Sequence, residues 1–447
     1  MESFLAEGQD GRIPELDVSA FKNQASYVLS RNYCTHSCPA PAVSPNSTRT
    51  AKFNISSGNF IDPGSIWFSY TCRNLGVGAN GAAAGVLHPV SALGATFWRR
   101  MIIKYSGATV EDISHVNRLE AQIANFASCN KKRDYGSAAF GWQTLTDEGI
   151  DGLAMPIPAG GKKNVTWRPL CSGFLQSGKF LPLMGGSSAL SVEIECTDFT
   201  DAIIDNGAAV SQQWELTELK LHYADVVLDS AMTESFADML VAGESILIPF
   251  QANNIDKIFI SGGANVVDLT VARQFSRLAT VTCTLEGSTT AADSAINGTS
   301  AAVAHRKPML NHFLPVASRE TVESYLSLNS KRWPQFNTVG CQQHFIRLMQ
   351  TLGIYNSVSH ATNLSYHGYS GAKQGESGAT QDIPARQFTF AWDLEAVGQA
   401  EASGEQVSGG AIVQIHLENI AGANAAFVAT HYDCCLEIRQ QGAVLFS

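Results

Sequence analysis

The sequence predicts an all-β protein made of two sandwich domains in tandem. Three observations carry this. Apolar and polar residues alternate strictly in short runs, glycine, proline and Asn/Asp clusters punctuate those runs, and 447 residues suit two or three domains of about 100–200 residues each.

The alternation is clearest in Ser65–Arg73, where Ile66, Phe68, Tyr70 and Cys72 share one face, and in Ala189–Thr197, where Leu190, Val192, Ile194 and Cys196 do. Further strands are expected at Thr217–Leu228, Glu244–Phe250, Asp256–Ile260, Leu278–Leu285, Gln387–Leu394, Ile412–Glu418 and Phe427–Ile438. Turn signals such as Asp62-Pro63-Gly64, Gly160-Gly161 and Gly185-Gly186 separate them. Helical spacing is confined to Asp112–Ser128, with Asp112 or Ser114 as N-cap, to Glu234–Val241, and to Gln342–Leu352 with Gly353 as its stop.

A weak internal echo supports the tandem arrangement. Phe97-Trp98-Arg99 and Phe275-Ser276-Arg277 each open a strand, and the Phe and Arg pairs stand 178 residues apart (275−97, 277−99). Each half ends on a similar strand, Leu219–Leu221 and Leu436–Ile438. These marks predict an N-terminal arm over 1–52, a first module over 53–228, a linker with a helix over 229–243 and a second module over 244–447. Pro39, Pro41 and Pro45 make the arm extended and place it outside the first sandwich.

Composition narrows the function. Charged residues are 16% of the chain against about 25% in an average soluble protein, which points to a surface covered by neighbouring subunits. The net charge of -10 and the absence of a basic arm argue against direct nucleic-acid binding, because phosphate neutralisation dominates that affinity. The basic clusters Lys131-Lys132-Arg133 and Lys162-Lys163 read as solvated loop charges. Residues 1–16 lack the cationic start and apolar run of a secretory signal, and no stretch nears the roughly 18 apolar residues of a membrane span. Ten scattered cysteines are expected as reduced thiols inside a cell, and the N-x-S/T matches at Asn46, Asn54, Asn164, Asn297 and Asn363 as chance.

Each candidate for chemistry falls short. Gly160-Gly161-Lys162-Lys163-Asn164 lacks the earlier glycine and the hydroxyl of a phosphate-binding loop, and Gly375-Glu376-Ser377-Gly378 is only a fragment of a nucleophile elbow. Cys34-Thr35-His36-Ser37-Cys38 offers three zinc ligands where a closed tetrahedral site needs four. His416 and His431 are alone on their strands, opposite the large aliphatics, and read as solvated or interface residues. Glu193 and Glu195 share a polar outward strand face with Ser191 and Thr197. No catalytic, cofactor-binding or metal-binding residue is assigned.

One segment is distinctive: Phe97-Trp98-Arg99-Arg100-Met101-Ile102-Ile103-Lys104-Tyr105-Ser106-Gly107, then Val110-Glu111-Asp112-Ile113 and Asn117-Arg118. It closely resembles a signature of the double jelly-roll major capsid proteins of polinton-like viruses and virophages, departing at His115-Val116, where those proteins often carry tyrosine before the asparagine. Phe275-Ser276-Arg277-Leu278, Asn329-Ser330-Lys331-Arg332-Trp333-Pro334, Gly353-Ile354 and Phe388–Glu395 are similar in the same order.

The resemblance implies an all-β fold of two tandem eight-stranded antiparallel jelly rolls with short inserted helices. It implies a non-enzymatic shell subunit in the virion, assembled in the cytoplasm or nucleus of a host cell. Its partners are then itself, as a homotrimeric pseudo-hexagonal capsomer beside neighbouring capsomers, and penton and minor capsid proteins. The arm would reach to neighbours, and Gly287–Ala304 and Gly368–Asp382 are the candidate outer loops. A carbohydrate-binding or adhesin-type β-sandwich is the alternative; it calls for a signal peptide or an aromatic platform.

Overall fold

The computed structural model describes residues 27–78, 93–127, 157–183, 189–203, 211–261, 263–287, 318–329, 331–355, 364–370, 387–395, 404–407, 412–440 and 442–446, with short pieces between them. The basic cluster Lys131-Lys132-Arg133, Asn297, Asn363, the fragment at Gly375–Gly378, nearly all of the outer-loop candidate at 287–304 and part of the one at 368–382 lie outside the described residues.

The first half contributes β1 (Val28–Ser37), β2 (Ala42–Val43), β3 (Thr50–Ile55), β4 (Phe60–Asn74), β5 (Trp98–Tyr105), β6 (Ala108–Ser114), β7 (Lys162–Trp167), β8 (Leu181–Pro182), β9 (Leu190–Cys196) and β10 (Trp214–Leu228). The second half contributes β11 (Ile246–Phe259), β12 (Val266–Val271), β13 (Phe275–Gly287), β14 (Glu323–Leu328), β15 (Lys331–Val339), the short pair β16 (Ala372–Gln374) and β17 (Gln381–Ile383), β18 (Phe390–Asp393), β19 (Glu405–Val407), β20 (Val413–Glu418), β21 (Ala423–Arg439) and β22 (Gly442–Phe446). Helices are few: α1 (Leu93–Thr96), α2 (Val116–Phe126), α3 (Phe199–Ala202), α4 (Ser230–Val241), α5 (Gly340–Thr351) and α6 (Tyr366–Ser370).

Two sheets pack face to face in each half. In the first, β1-β10-β4-β7 opposes β3-β9-β5-β6; in the second, β11-β21-β13-β18 opposes β12-β20-β14-β15. Numbering the eight main strands of each half in chain order, one sheet holds the first, eighth, third and sixth, the other the second, seventh, fourth and fifth. Both halves follow this order, and every pairing is antiparallel, which is the jelly-roll winding. The alternation read from the sequence is the cause: in β9 every second residue from Leu190 to Cys196 is buried, and in β20 Val413, Ile415 and Leu417 are.

The structure revises four expectations. Residues 28–55, expected mostly in an outer arm, supply β1, β2 and β3 of the first barrel. β1 is an edge strand with only Val28, Cys34 and His36 half-buried, so it has no apolar alternation to read, and the prolines punctuate the crossing from β1 to β3. Secondly, α2 begins at Val116 behind His115, which adopts a left-handed φ of 50°; neither Asp112 nor Ser114 caps it. Asp112 belongs to β6 and takes two hydrogen bonds from Arg100, while Ser114 Oγ donates to Ile255 O. Thirdly, Glu244–Phe250 and Asp256–Ile260 merge into the single strand β11, because Asn253 and Asn254 between them are side chains with hydrogen-bonding tasks.

The fourth revision concerns the 178-residue echo. Phe97 leads into β5, the fourth main strand of its barrel, whereas Phe275 opens β13, the third of its own. The echo therefore matches strands that are not equivalent. The true correspondence of this region is β5-β6-α2 with β14-β15-α5, whose first strands start 225 residues apart (323−98).

The hairpin between β5 and β6 shows local chemistry setting register. Ser106 and Gly107 form its two-residue turn with φ of 49° and 82°, the double left-handed backbone of a type I′ turn. A Cβ on Gly107 meets nothing within 4 Å, so only its backbone conformation disfavours a side chain. Gly107→Ala is expected to lower stability by about 1 kcal/mol, read as a shift in the urea midpoint at unchanged slope.

Candidate functional site: the seam between the barrels

The distinctive segment around Glu111 builds a seam where the first barrel covers the outer face of the second barrel's β11-β21-β13 sheet. Arg118 on α2 is its centre. The guanidinium, 9% exposed, pairs with Asp201 at 2.7 Å and lies over the Phe427 ring at 5.3 Å, with Glu286 at 3.8 Å. Asn117 and Thr197 complete the shell of Asp201. Burial opposes ionisation of Asp201, but Arg118 and those two hydrogen bonds hold its carboxyl well below the usual carboxylate range. Lys257 pairs with Glu286 at 3.0 Å and faces Phe427 from β11. His115 packs edge-on against the same ring at 5.5 Å, and burial pushes its imidazole down to about 4.

A second part of the seam is a loop held from both sides. Glu111 accepts from Ser172 Oγ and from Gly173 N at 3.0 Å, and Glu120 accepts from Leu170 N and Cys171 N at 2.6 and 2.9 Å. Burial pushes both carboxyls up to about 7, the hydrogen bonds pulling only part of the way back. From the other barrel, Asn253 Nδ2 donates to Cys171 O at 2.7 Å, and Phe250 packs edge-on against Phe174 at 5.4 Å. A Cβ on Gly173 would stand 1.5 Å from Gln251 O, so the backbones touch there and only glycine fits. His431, also hydrogen-bonded to Asn253, is half-buried in this seam, and the loss of water pushes its imidazole down to about 4. Glu111, Asn117 and Arg118 are therefore seam builders, a role that their spacing in the sequence does not reveal.

The candidates singled out from the sequence sit elsewhere. Cys34, His36 and Cys38 fall on alternate positions of β1 and just beyond it, so consecutive side chains are about 7 Å apart, and His36 faces the Phe53 ring. Among the described residues no group of three or more His, Cys, Asp and Glu is arranged to hold a metal. Gly160-Gly161 is a tight turn, closed by Gly161 N donating to Pro158 O, which feeds Lys162 and Lys163 into β7. Glu193 lies on the outward face between Lys52 and Lys104, at 2.9 and 3.2 Å; Lys52 and Lys104 lower its pKa against partial burial. His416 is outward-facing, as expected. Glu418 and Asp268 outweigh its partial burial and raise its pKa, and its ring stacks on Tyr325 at 4.6 Å.

Two outcomes are expected of this seam. Gly173→Ala should destabilise the chain by about 3 kcal/mol or more, since neither backbone can retreat; denaturant unfolding checks it, and a loss under about 0.5 kcal/mol would mean a looser seam. The two glutamates have folded pKa values above the unfolded one, so their stabilisation is full below about pH 4.5 and lost as pH rises through 7. His115 and His431, pushed down to about 4, instead lose stability as pH falls from about 6.5 towards 4. Between pH 6.5 and 8 stability should fall by roughly 1 kcal/mol per glutamate, and Glu111→Gln should remove its share; melting curves across that range decide.

No protein-family profile matches the chain, and no curated protein does. Solved structures do match, over nearly the whole chain. The PBCV-1 VP54 crystal structure fitted into a reconstruction of the virophage Sputnik is 12% identical, covers 95% of this chain and 99% of that one, and gives a TM-score of 0.59. The 3.5 Å structure of the Sputnik virophage is 10% identical over 97% and 92%, also at 0.59. The mavirus major capsid protein is 9% identical over 95% and 91%, at 0.52. At such identities the likeness speaks for fold alone, and in fold this chain is a double jelly roll of the kind seen in viral major capsid proteins.

Proposed function

We propose that this chain is the major capsid protein of a eukaryotic DNA virus, three copies of which form a pseudo-hexagonal capsomer that tiles an icosahedral shell. The observation that carries this reading is the pair of jelly rolls with one strand order, fused side by side through a buried seam. Two such barrels let a trimer present six similar sides, and closed symmetry within the capsomer leaves repeated contacts for the lattice. The modules are residues 28–228 and 244–447, with α4 between them; no residue of α4 is fully buried.

The function is structural rather than catalytic: the buried carboxylates hold a loop, and the outward charges pair with one another. Location in the virion follows, with assembly in the cytoplasm or nucleus of the host cell and contacts to penton and minor capsid proteins. The net charge of -10 suits a shell that does not grip its genome. No helix among the described residues is long and apolar enough to cross a membrane.

Purified chain should elute as a trimer by light scattering at micromolar concentration and show hexagonal rosettes or particles in negative stain. A stable monomer would sink the reading.

A further inference from the structure

The two barrels share a strand order but not their surroundings. In the second barrel, the outer face of the β11-β21-β13 sheet is covered by α2 and the end of β6 from the first. The equivalent face of the first barrel, on β1-β10-β4, has no such cover among the described residues. The equivalent of α2 and β6 is α5 and β15 in the second barrel, and its outward residues also lie open.

The match extends to side chains. Thr35 and Asn253 are 218 residues apart (253−35), as are the starts of β1 and β11 (246−28). His222 and His431 are 209 apart (431−222), as are the starts of β10 and β21 (423−214). In each barrel the β1-type residue hydrogen-bonds Nδ1 of the histidine: Thr35 Oγ1 with His222 at 2.9 Å, and Asn253 Oδ1 with His431. In the second barrel this pair is half-buried at the seam, with Asn253 also bonded to Cys171 O of the first. In the first it stands half-open, with the Trp67 ring stacked on His222 at 3.8 Å and Ser69 Oγ on Nε2 at 2.8 Å. On the same face Tyr33 is 82% exposed.

The helices correspond as closely. The left-handed residues at their starts, His115 and Gly340, are 225 apart (340−115), the same offset as the starts of β5 and β14 (323−98). That register places Gln343, Ile346 and Arg347 where α2 has Arg118, Ala121 and Gln122. All three are exposed, Ile346 by 45%, and Phe336 on β15 beside them by 84%.

We propose that the outer face of the first barrel, centred on Thr35, His222 and Trp67 with Tyr33, is the seat for the α5-β15 side of the second barrel of another copy, so that each contact between copies repeats the seam within the chain. The occupant is a second copy because the matching surface is already seated on the equivalent sheet inside every chain. Ile346 and Arg347, at the positions of Ala121 and Gln122, then meet the aromatic face of Tyr33 and Trp67. The contact is head-to-tail, and a head-to-tail contact that closes gives a ring; three copies with two barrels each make six alike. The proposal rests on the capsomer reading and adds which surfaces form it.

The test uses the full chain. Tyr33→Asp and Ile346→Asp, both at exposed positions, should each reduce the trimer fraction at micromolar concentration about tenfold or more, with melting temperature and circular dichroism of the monomer unchanged. Val266→Asp on β12, 52% exposed and in neither surface, should leave the trimer intact. Hydrogen exchange on the unmodified trimer supplies a readout free of mutation: residues 31–37 and 341–350 should be protected relative to the diluted monomer. Trimers that persist in both aspartate variants, or exchange that is unchanged in both segments, overturn the assignment while leaving the capsomer standing. An unmodified chain that never trimerises removes both.

Discussion

The pairing of Arg118 with Asp201 beneath the Phe427 ring is the interaction on which the two-barrel body depends. A guanidinium this enclosed is tolerable only when a carboxylate neutralises it and its donors are used, so removing Asp201 would leave a largely enclosed charge without its counterion. Its neighbours follow from it. Asn117 turns towards Asp201, Glu286 of the second barrel stands within reach of the guanidinium, and Lys257 answers Glu286 from the neighbouring β11. The charges thus form a chain that crosses from one barrel to the other, and the sheets are brought to the distance at which Gly173 touches Gln251.

Much of the fold was legible because it follows from a period of two. Strands such as β9 and β20 bury alternate residues, and no competing task disturbs the pattern. α2 and α5 were legible for the corresponding reason: Val116, Leu119, Ile123 and Phe126, and Phe345, Leu348, Met349 and Leu352, meet the core at helical spacing. β1 was not legible, because an edge strand facing solvent on one side and carrying Tyr33, Thr35 and Ser37 outward has no apolar rhythm. β11 was only half legible, since Asn253 and Asn254 interrupt the pattern to satisfy polar groups that become visible once the barrels meet.

The seam itself was the least legible part. Glu111 and Glu120 look like ordinary surface carboxylates in a one-dimensional reading, and only the packed structure shows them enclosed and bound to the backbone of 170–173. The distinctive stretch from Phe97 to Arg118 pointed to the right fold while concealing why those residues recur in it. Conversely, the echo between Phe97 and Phe275 looked like a repeat and was not one, because equivalent strands of the two barrels share burial and bonding positions rather than a common string of residues.

The make-up of the seam also fixes when it can form. The face that receives α2 needs β11 from the start of the second half and β21 from its end, since Ile246 pairs with Ile438 and Lys257 with Phe427. During synthesis the first barrel is therefore complete while its Arg118 and the loop at 170–173 still face water, and they stay so until almost the last residues leave the ribosome. For that interval a nascent chain shows water the Arg118–Asp201 pair and the apolar surface beside it. A chain cut short before β21 would be a folded first domain with an open, adhesive flank, so the protein's yield in a cell depends on finishing each copy as much as on the stability of the finished one.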